Sequence, residues 1–280
     1  MSNVSYGSWT ATPEDRVDSV TPAMAARLHL LLDAPGPAPS AGDALPPLWH
    51  WLAFLPDVAQ ALIGPDGHPK KGGFLPPVEL PRRMFVGARY QFEGKLHVGE
   101  SLTRHGEVTA ITVKEGSSGT LVFVTVAYRT SGASGVVLEE QDIVYREAAT
   151  TKVPEPSGEA DEQPSWDYEF SLDPTPPLLV RFSALTYNAH RIHYDRQWAT
   201  EEEGYPGLVV HGPLQAVALA EVLRRSQPSL DLATFSFKSS RPAFDGHPLW
   251  FKGRVEGLDA HLGAYNHLGQ LTTQGSGHFA

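Results

Sequence analysis

The chain runs twice through one order of elements, and that duplication narrows its fold more than any single motif. The first apolar block, Pro47–Ile63, holds Trp49, Trp51, Phe54, Leu55, Val58 and Leu62. It is too apolar all round for a surface helix and reads as a buried one, bent or broken at Pro56. β-rich segments follow at Tyr90–Phe92, Leu102–Val113, Thr120–Thr130 and Val136–Tyr145, with hairpin loops expected at Gly116–Gly119 and Ser131–Gly135. In the second block, Pro213–Arg225, Pro213 suits a first helical position, and Leu214, Val217, Ala218, Leu219, Ala220, Val222 and Leu223 cover most of the circumference. Strand patterning returns from Ala233 to Phe279.

A faint residue repeat accompanies the order. Gly99-Glu100-Ser101-Leu102 with Gly106 and Val108 matches Gly246-His247-Pro248-Leu249 with Gly253 and Val255, in register. In a glycine-rich chain those matches alone do not defeat coincidence; the order of elements carries the argument. The expected architecture is α+β: two similar halves, residues 1–150 and 178–280, each wrapping a sheet around an apolar helix, joined by a proline-rich, acidic linker at 151–177. A shorter helix is expected over Thr21–Asp33, capped by Thr21-Pro22, and a short strand over Leu178–Phe182.

Composition removes several function classes. A net charge of −10 makes general nucleic-acid binding a poor fit, since that relies on Lys and Arg neutralising phosphates. The absence of Cys removes disulfides, thiolate metal sites and a Cys nucleophile. No apolar run approaches the roughly 18 to 20 residues of a membrane span, and Met1–Asp18 is polar and partly acidic rather than a secretory signal. A cytoplasmic protein is expected.

Chemistry concentrates between Phe182 and Leu214. Asn188, His190, His193 and Asp195 fall in Tyr187-Asn188-Ala189-His190-Arg191-Ile192-His193-Tyr194-Asp195, and an apolar strand then breaks at His211-Gly212-Pro213 into the second apolar helix. This places a titratable group beside the positive end of a helix. His193 is the candidate base, because a neutral imidazole takes and returns a proton near working pH; a structural histidine is the alternative. His190 and His193 have a spacing that brings two ligands to one helix face, but there is no HExxH pattern and no Cys, so no metal is expected. Gly212 either simply allows the strand-to-helix turn or presents its N–H to a developing anion. Such a donor is typically worth about 100- to 1,000-fold in rate. Asn188 reads as a turn residue or a water holder, and His211 as packing beside the turn. Arg82, Arg83, Arg224, Arg225, Lys238, Arg241, Lys252 and Arg254 are the candidates for anion binding, with solvated surface charge the ordinary reading for most. No phosphate loop, Ser nucleophile elbow or dinucleotide fingerprint is present.

The segments Phe182–Asp195 and Tyr205–Leu214, with Leu80-Pro81-Arg82-Arg83-Met84 and Gly87, resemble the MaoC-type hydratases and dehydratases. Within that family they are most similar to the type-2 hydroxyacyl-thioester dehydratases and the mesaconyl-CoA/itaconyl-CoA hydratases. The resemblance implies a double hot-dog fold, two long helices each wrapped by an antiparallel sheet, with the active site served mainly by the second half. It implies reversible hydration of an α,β-unsaturated acyl-CoA, mesaconyl-CoA or itaconyl-CoA to citramalyl-CoA. His193 would be the base, Gly212 the oxyanion donor and Asn188 a water-orienting group, with Arg82, Arg83, His211 and Tyr187 lining the substrate site. No cofactor is expected beyond the CoA of the substrate, and a homodimer is one expected assembly. The wider family has an Asp five residues before the catalytic His in D-x-N-P-x-H; here that position is Asn188, and His190-Arg191 replaces Asn-Pro. The alternatives are a 3-hydroxyacyl-carrier-protein dehydratase of fatty-acid synthesis, a hot-dog thioesterase and a non-catalytic acyl-CoA binder.

Overall fold

A computed structural model describes residues 4–116, 119–148 and 151–280. In chain order it contains β1 (Ser5–Tyr6), β2 (Trp9–Thr10), β3 (Glu14–Asp18), α1 (Pro22–Leu31), β4 (Arg82–Gly94), β5 (Leu102–Gly116), β6 (Gly119–Ser131) and β7 (Gly135–Arg146). The second half follows with β8 (Tyr168–Leu172), α2 (Pro176–Thr186), α3 (Gly212–Ser226), β9 (Leu232–Ser239), β10 (Leu249–Glu256), β11 (Asp259–Tyr265) and β12 (Leu271–Phe279). β1 pairs only with β2; the other strands form one ten-stranded antiparallel sheet in the order β3-β5-β6-β7-β4-β9-β12-β11-β10-β8. The halves meet where β4 pairs with β9, from Gly87 opposite Lys238 to Gln91 opposite Thr234.

Read outward from that seam, each half has the same strand sequence, and the faint repeat falls on equivalent strands. Leu102 opens β5 opposite Asp18, and Leu249 opens β10 opposite Leu172. Gly99 and Gly246 take the left-handed turn before them, at φ +84° and +91°. A second repeat, unread in the sequence, lies just beyond: Thr21 and Thr175 cap α1 and α2, each accepting from the backbone N–H three residues on, with Pro next. The double hot-dog arrangement is therefore present.

α3 is the central helix of the second half, with Leu214–Leu223 buried against β8–β12. Among the described residues the first half has no matching long helix. Pro47–Ile63 forms only 3₁₀ turns at Trp49–Leu52 and Gln60–Leu62. Leu48 and Phe54 adopt left-handed φ, and Pro56 removes an N–H, so the α ladder cannot run through. Of the residues expected to be buried, Trp49 and Phe54 are buried, Trp51 and Leu55 are partly buried, and Val58 and Leu62 are exposed. The Arg16 guanidinium satisfies the Phe54 and Leu55 carbonyls that a helix would have satisfied internally.

Three further expectations change. Leu178–Phe182 is helix within α2, because Thr175 and Pro176 start a helix there. The 151–177 stretch includes β8, an edge strand on β10, and the start of α2. Tyr205–Val210 is extended but makes a single bridge, Val209 to Phe244. The hairpin loop at Ser131–Gly135 is present, whereas Ser117 and Ser118 of the Gly116–Gly119 loop lie outside the described residues. None of the described helices is long and apolar enough to cross a membrane.

Candidate active site

The chain leaves α2 through Tyr187, which takes the left-handed conformation at φ +52°. The Asn188 N–H closes back on the Ser183 carbonyl at 2.9 Å. The Asn188 side-chain oxygen accepts from the His190 N–H at 3.0 Å and so starts the 3₁₀ turn Arg191–His193. Its oxygen is spent on that turn; its amide NH2 has no protein partner among the described residues.

His193 is fixed by the extended segment before α3. The Val209 N–H donates to the Ile192 carbonyl at 2.9 Å, and His193 Nδ1–H donates to the Val209 carbonyl at 2.7 Å. That bond sets the tautomer and leaves Nε2 as the acceptor. Burial, and then the neighbouring His190, push the His193 pKa down to about 3, against the Val209 hydrogen bond. His211 stacks on His193 with ring centroids 3.7 Å apart. Its Nε2 shares a 2.8 Å hydrogen bond with Ser183 Oγ, while its buried Nδ1 has no partner among the described residues. Burial and then His193 hold its pKa well below the usual imidazole range. Both rings are neutral at working pH. Asp195 is turned away, paired with Arg191 at 2.7 Å and capping the Trp198 N–H.

Gly212 opens α3, and its N–H has no protein acceptor among the described residues. A Cβ there would make only ordinary contact, 3.6 Å from the Phe85 carbonyl oxygen, and φ is not left-handed. Neither crowding nor backbone conformation requires glycine at this helix start, so the plain turn reading does not account for it.

A cleft of about 1460 Å³ runs between the halves. Ser183, Tyr187, Asn188 and Pro213 line it from the second half, and His68 and Arg83 from the first. His193, His211 and Gly212 stand behind that lining; His193 is 7 % exposed. Strand alternation separates the two arginines. Arg83 faces the cleft with no carboxylate within ion-pair distance among the described residues. Arg82 turns away to the Glu203 carbonyl and carboxylate and lies over the Tyr205 ring. Five of the other candidate cations already have acidic partners: Arg224 and Arg225 hold Glu221, Arg241 holds Asp161, Lys252 holds Glu169 and Arg254 holds Glu256.

Two groups in the cleft wall escaped the sequence reading. Deep in it, the buried Glu139 carboxylate accepts from His50, Trp51, Tyr90 and Gln141 at 2.7–3.2 Å. Burial opposes its charge, but these donors outweigh it and keep the group ionised. Nearer Asn188, a turn at Gly64–His68 docks on the histidine segment through Arg191, whose N–H donates to the Asp66 carbonyl at 2.9 Å. His68 Nδ1–H donates to Asp66 Oδ2 at 2.9 Å, and its ring lies 4.0 Å from that of His190. The Pro65-Asp66-Gly67 turn signal was legible, but not what the turn would touch.

Asp66, His68 and His190 form the one set of metal-type donors among the described residues, their atoms within 4.8 Å of one another. The Asp66–His68 separation is a hydrogen-bond distance, and the Arg83 charge acts on the same ring.

Residues 48–245 match the family described as Hydroxyacyl-thioester dehydratase type 2. The chain belongs to that family. A dehydratase of this family is a hydro-lyase, as the motifs implied. Among curated relatives, the mesaconyl-C(4)-CoA hydratase of Chloroflexus aurantiacus is 47% identical over 259 residues, 92% of this chain and 91% of that one. Among solved structures, HtdX of Mycobacterium tuberculosis aligns with a TM-score of 0.66 at 15% identity, over 96% of this dehydratase-family chain and all of that one (100%). A second Mycobacterium tuberculosis protein, described as a double hotdog fold, aligns at 0.55 and 14% identity, over 96% of each chain. At those identities the two structures speak for the fold alone.

Proposed function

We propose that this chain reversibly hydrates an unsaturated acyl-CoA thioester to citramalyl-CoA: mesaconyl-CoA esterified at C4, whose α,β double bond is conjugated with the thioester and takes the steps below, or itaconyl-CoA. One observation carries the reading: a neutral imidazole, His193, tautomerically fixed with Nε2 free, beside a helix start whose first N–H is unspent. The substrate assignment rests on the 47% identity to a protein named for that reaction.

In this reading the thioester carbonyl binds at the Gly212 N–H. His193 Nε2 takes a proton from a water held by the Asn188 amide, and the water oxygen bonds the β-carbon. The π pair becomes an enolate held at α3, where a preorganised donor acts in a dry site. Arg83, a cleft cation with no carboxylate partner among the described residues, pairs with the second carboxylate of the C5 chain. Tyr187 and His211 border the acyl site, Tyr187 at the cleft mouth and His211 by packing His193. The thioester is the electron sink, so the reaction asks for no redox group or metal. We assign the protein to the cytoplasm and to a homodimer of these double units.

The test is loss of enone absorbance with purified protein across crotonyl-, long-chain, mesaconyl- and itaconyl-CoA, beside His193→Ala. Turnover on the dicarboxylic substrates that vanishes in the variant supports the reading. Turnover on long chains only would transfer the assignment to fatty-acid synthesis, and release of free thiol would transfer it to a thioesterase.

A further inference from the structure

Position 188 lacks a carboxylate, yet a carboxylate–imidazole pair faces the same cleft from the other half of the chain. Asp66 holds His68 Nδ1–H at 2.9 Å, which leaves His68 Nε2 free on a ring that lines the cleft. His68 then leads into a row: its ring lies 4.0 Å from His190, and His190 lies 5.4 Å from His193 at 86°. The turn is built for that position. Gly67 is at φ +92° against Ala189, and Arg191 holds the Asp66 and Pro65 carbonyls.

We propose that His68, held by Asp66, is the second proton carrier of this site and delivers to the α-carbon the proton that His193 removes from water. The inference rests on the hydration reading above. An O–H bond of water breaks toward His193 Nε2 as the oxygen bonds the β-carbon, giving the enolate. The proton passes along the row through His190 to His68, drawn by the Asp66 carboxylate. The enolate closes as a Cα–H bond forms from His68 Nε2–H. One proton leaves water, one joins carbon, and both imidazoles begin and end neutral.

The surroundings agree with a neutral resting state. Burial first, then Arg83 on β4 and His190 from the second half, lower the His68 pKa well below the usual range, against Asp66. Burial opposes the Asp66 charge, but the hydrogen bonds from the His68 ring and backbone N–H outweigh it, so its carboxyl stays below the usual carboxylate range. The carboxylate is therefore always present to hold the imidazolium that forms in the cycle, the arrangement that makes an imidazole an effective proton carrier.

The experiment separates the two transfers. Citramalyl-CoA is incubated in D2O, and deuterium uptake at the α-carbon is followed by NMR beside the hydration rate of mesaconyl-CoA. His68→Gln is expected to lose both by about 100-fold or more. His193→Gln is expected to lose hydration while still taking up α-deuterium. Asp66→Asn, which keeps the turn's hydrogen bond, is expected to lower kcat and uptake about tenfold with KM unchanged, and Asp66→Glu to recover part of it; a merely structural turn would move neither uptake nor the kcat-to-KM split. The proposal is overturned if His68→Gln hydrates within threefold of wild type, if Asp66→Asn is fully active, or if α-deuterium uptake is lost equally in both histidine variants or only in His193→Gln. Wild-type protein inactive on every enoyl-CoA would sink the hydration reading and this inference with it; active wild type with active His68→Gln sinks this inference alone.

Discussion

Gly67 lies so close to Ala189 that a Cβ on it would come within 1.7 Å of the Ala189 carbonyl oxygen. The first-half turn carrying His68 and the second-half segment carrying Asn188 fit together only because residue 67 has no side chain. Gly67→Ala adds strain at φ +92° and a collision with backbone that cannot rotate away. The turn must lift off. The variant is expected to stay folded, with a Tm a few degrees lower, and to lose about 100-fold in kcat/KM, the scale of an ångström-sized misplacement. Thermal melting beside steady-state kinetics checks both halves of that expectation.

The arginine pair gives a specificity test. Arg83→Ala is expected to cost roughly 10- to 100-fold in kcat/KM on a dicarboxylic enoyl-CoA, the value of about 1.5–3 kcal/mol for a charged hydrogen bond, with little change on crotonyl-CoA. Arg82→Ala is expected to lower stability through Glu203 and leave the ratio between substrates intact. Equal losses on both substrates for Arg83→Ala would remove it from carboxylate recognition.

His193 and His211 make acid stability predictable. Their folded pKa values are depressed, to about 3 for His193, while the unfolded value is near 6.5. Between those values the unfolded chain binds more protons, so the stability is complete above pH 6.5 and is lost as pH falls toward 3. The His193 ring contributes up to about 1.4 kcal/mol per pH unit inside that window, and His211 acts in the same direction. Tm measured from pH 7.5 down to 4.5 should fall, and less steeply in His193→Gln, which has no imidazole to protonate there. Parallel curves would show that these rings are not the acid-sensitive groups.

Glu139 ties the cleft wall together. Glu139→Ala strands His50, Trp51 and Tyr90 without their common acceptor and is expected to cost about 3–5 kcal/mol, the usual result of breaking a buried charged network. Glu139→Gln keeps the volume and one oxygen and should cost less. Urea unfolding of the two variants, with the slope checked for constancy, gives the comparison.

The sheet was readable because β4–β7 are β-rich runs split by Gly- and Ser-containing turns, and α3 because proline sits at its first turn and apolar residues surround it. Pro47–Ile63 misled because aromatic content reports burial, and burial here is achieved by turns whose carbonyls Arg16 satisfies from a strand far away in sequence. Leu178–Phe182 was ambiguous as any short apolar run is, until Thr175 is recognised as a cap. Asn188, His193, His211 and Gly212 could be singled out because they lie in one stretch, and the fold gathers His193 and His211 into a stack. Asp66 and His68 could not, since only the folded chain brings residue 68 onto residue 190.

The seam between β4 and β9 joins two copies of one plan within a single chain. Were the copies separate identical subunits, any change would appear on both sides of the cleft at once. A single chain is free of that constraint, and the halves differ: one holds the long helix α3 and the histidine segment, and the other has 3₁₀ turns at Trp49–Leu52 and Gln60–Leu62 and the Gly64–His68 turn that reaches across. The cleft is asymmetric by construction, with different residues on its two walls where a symmetric pair would present one set twice.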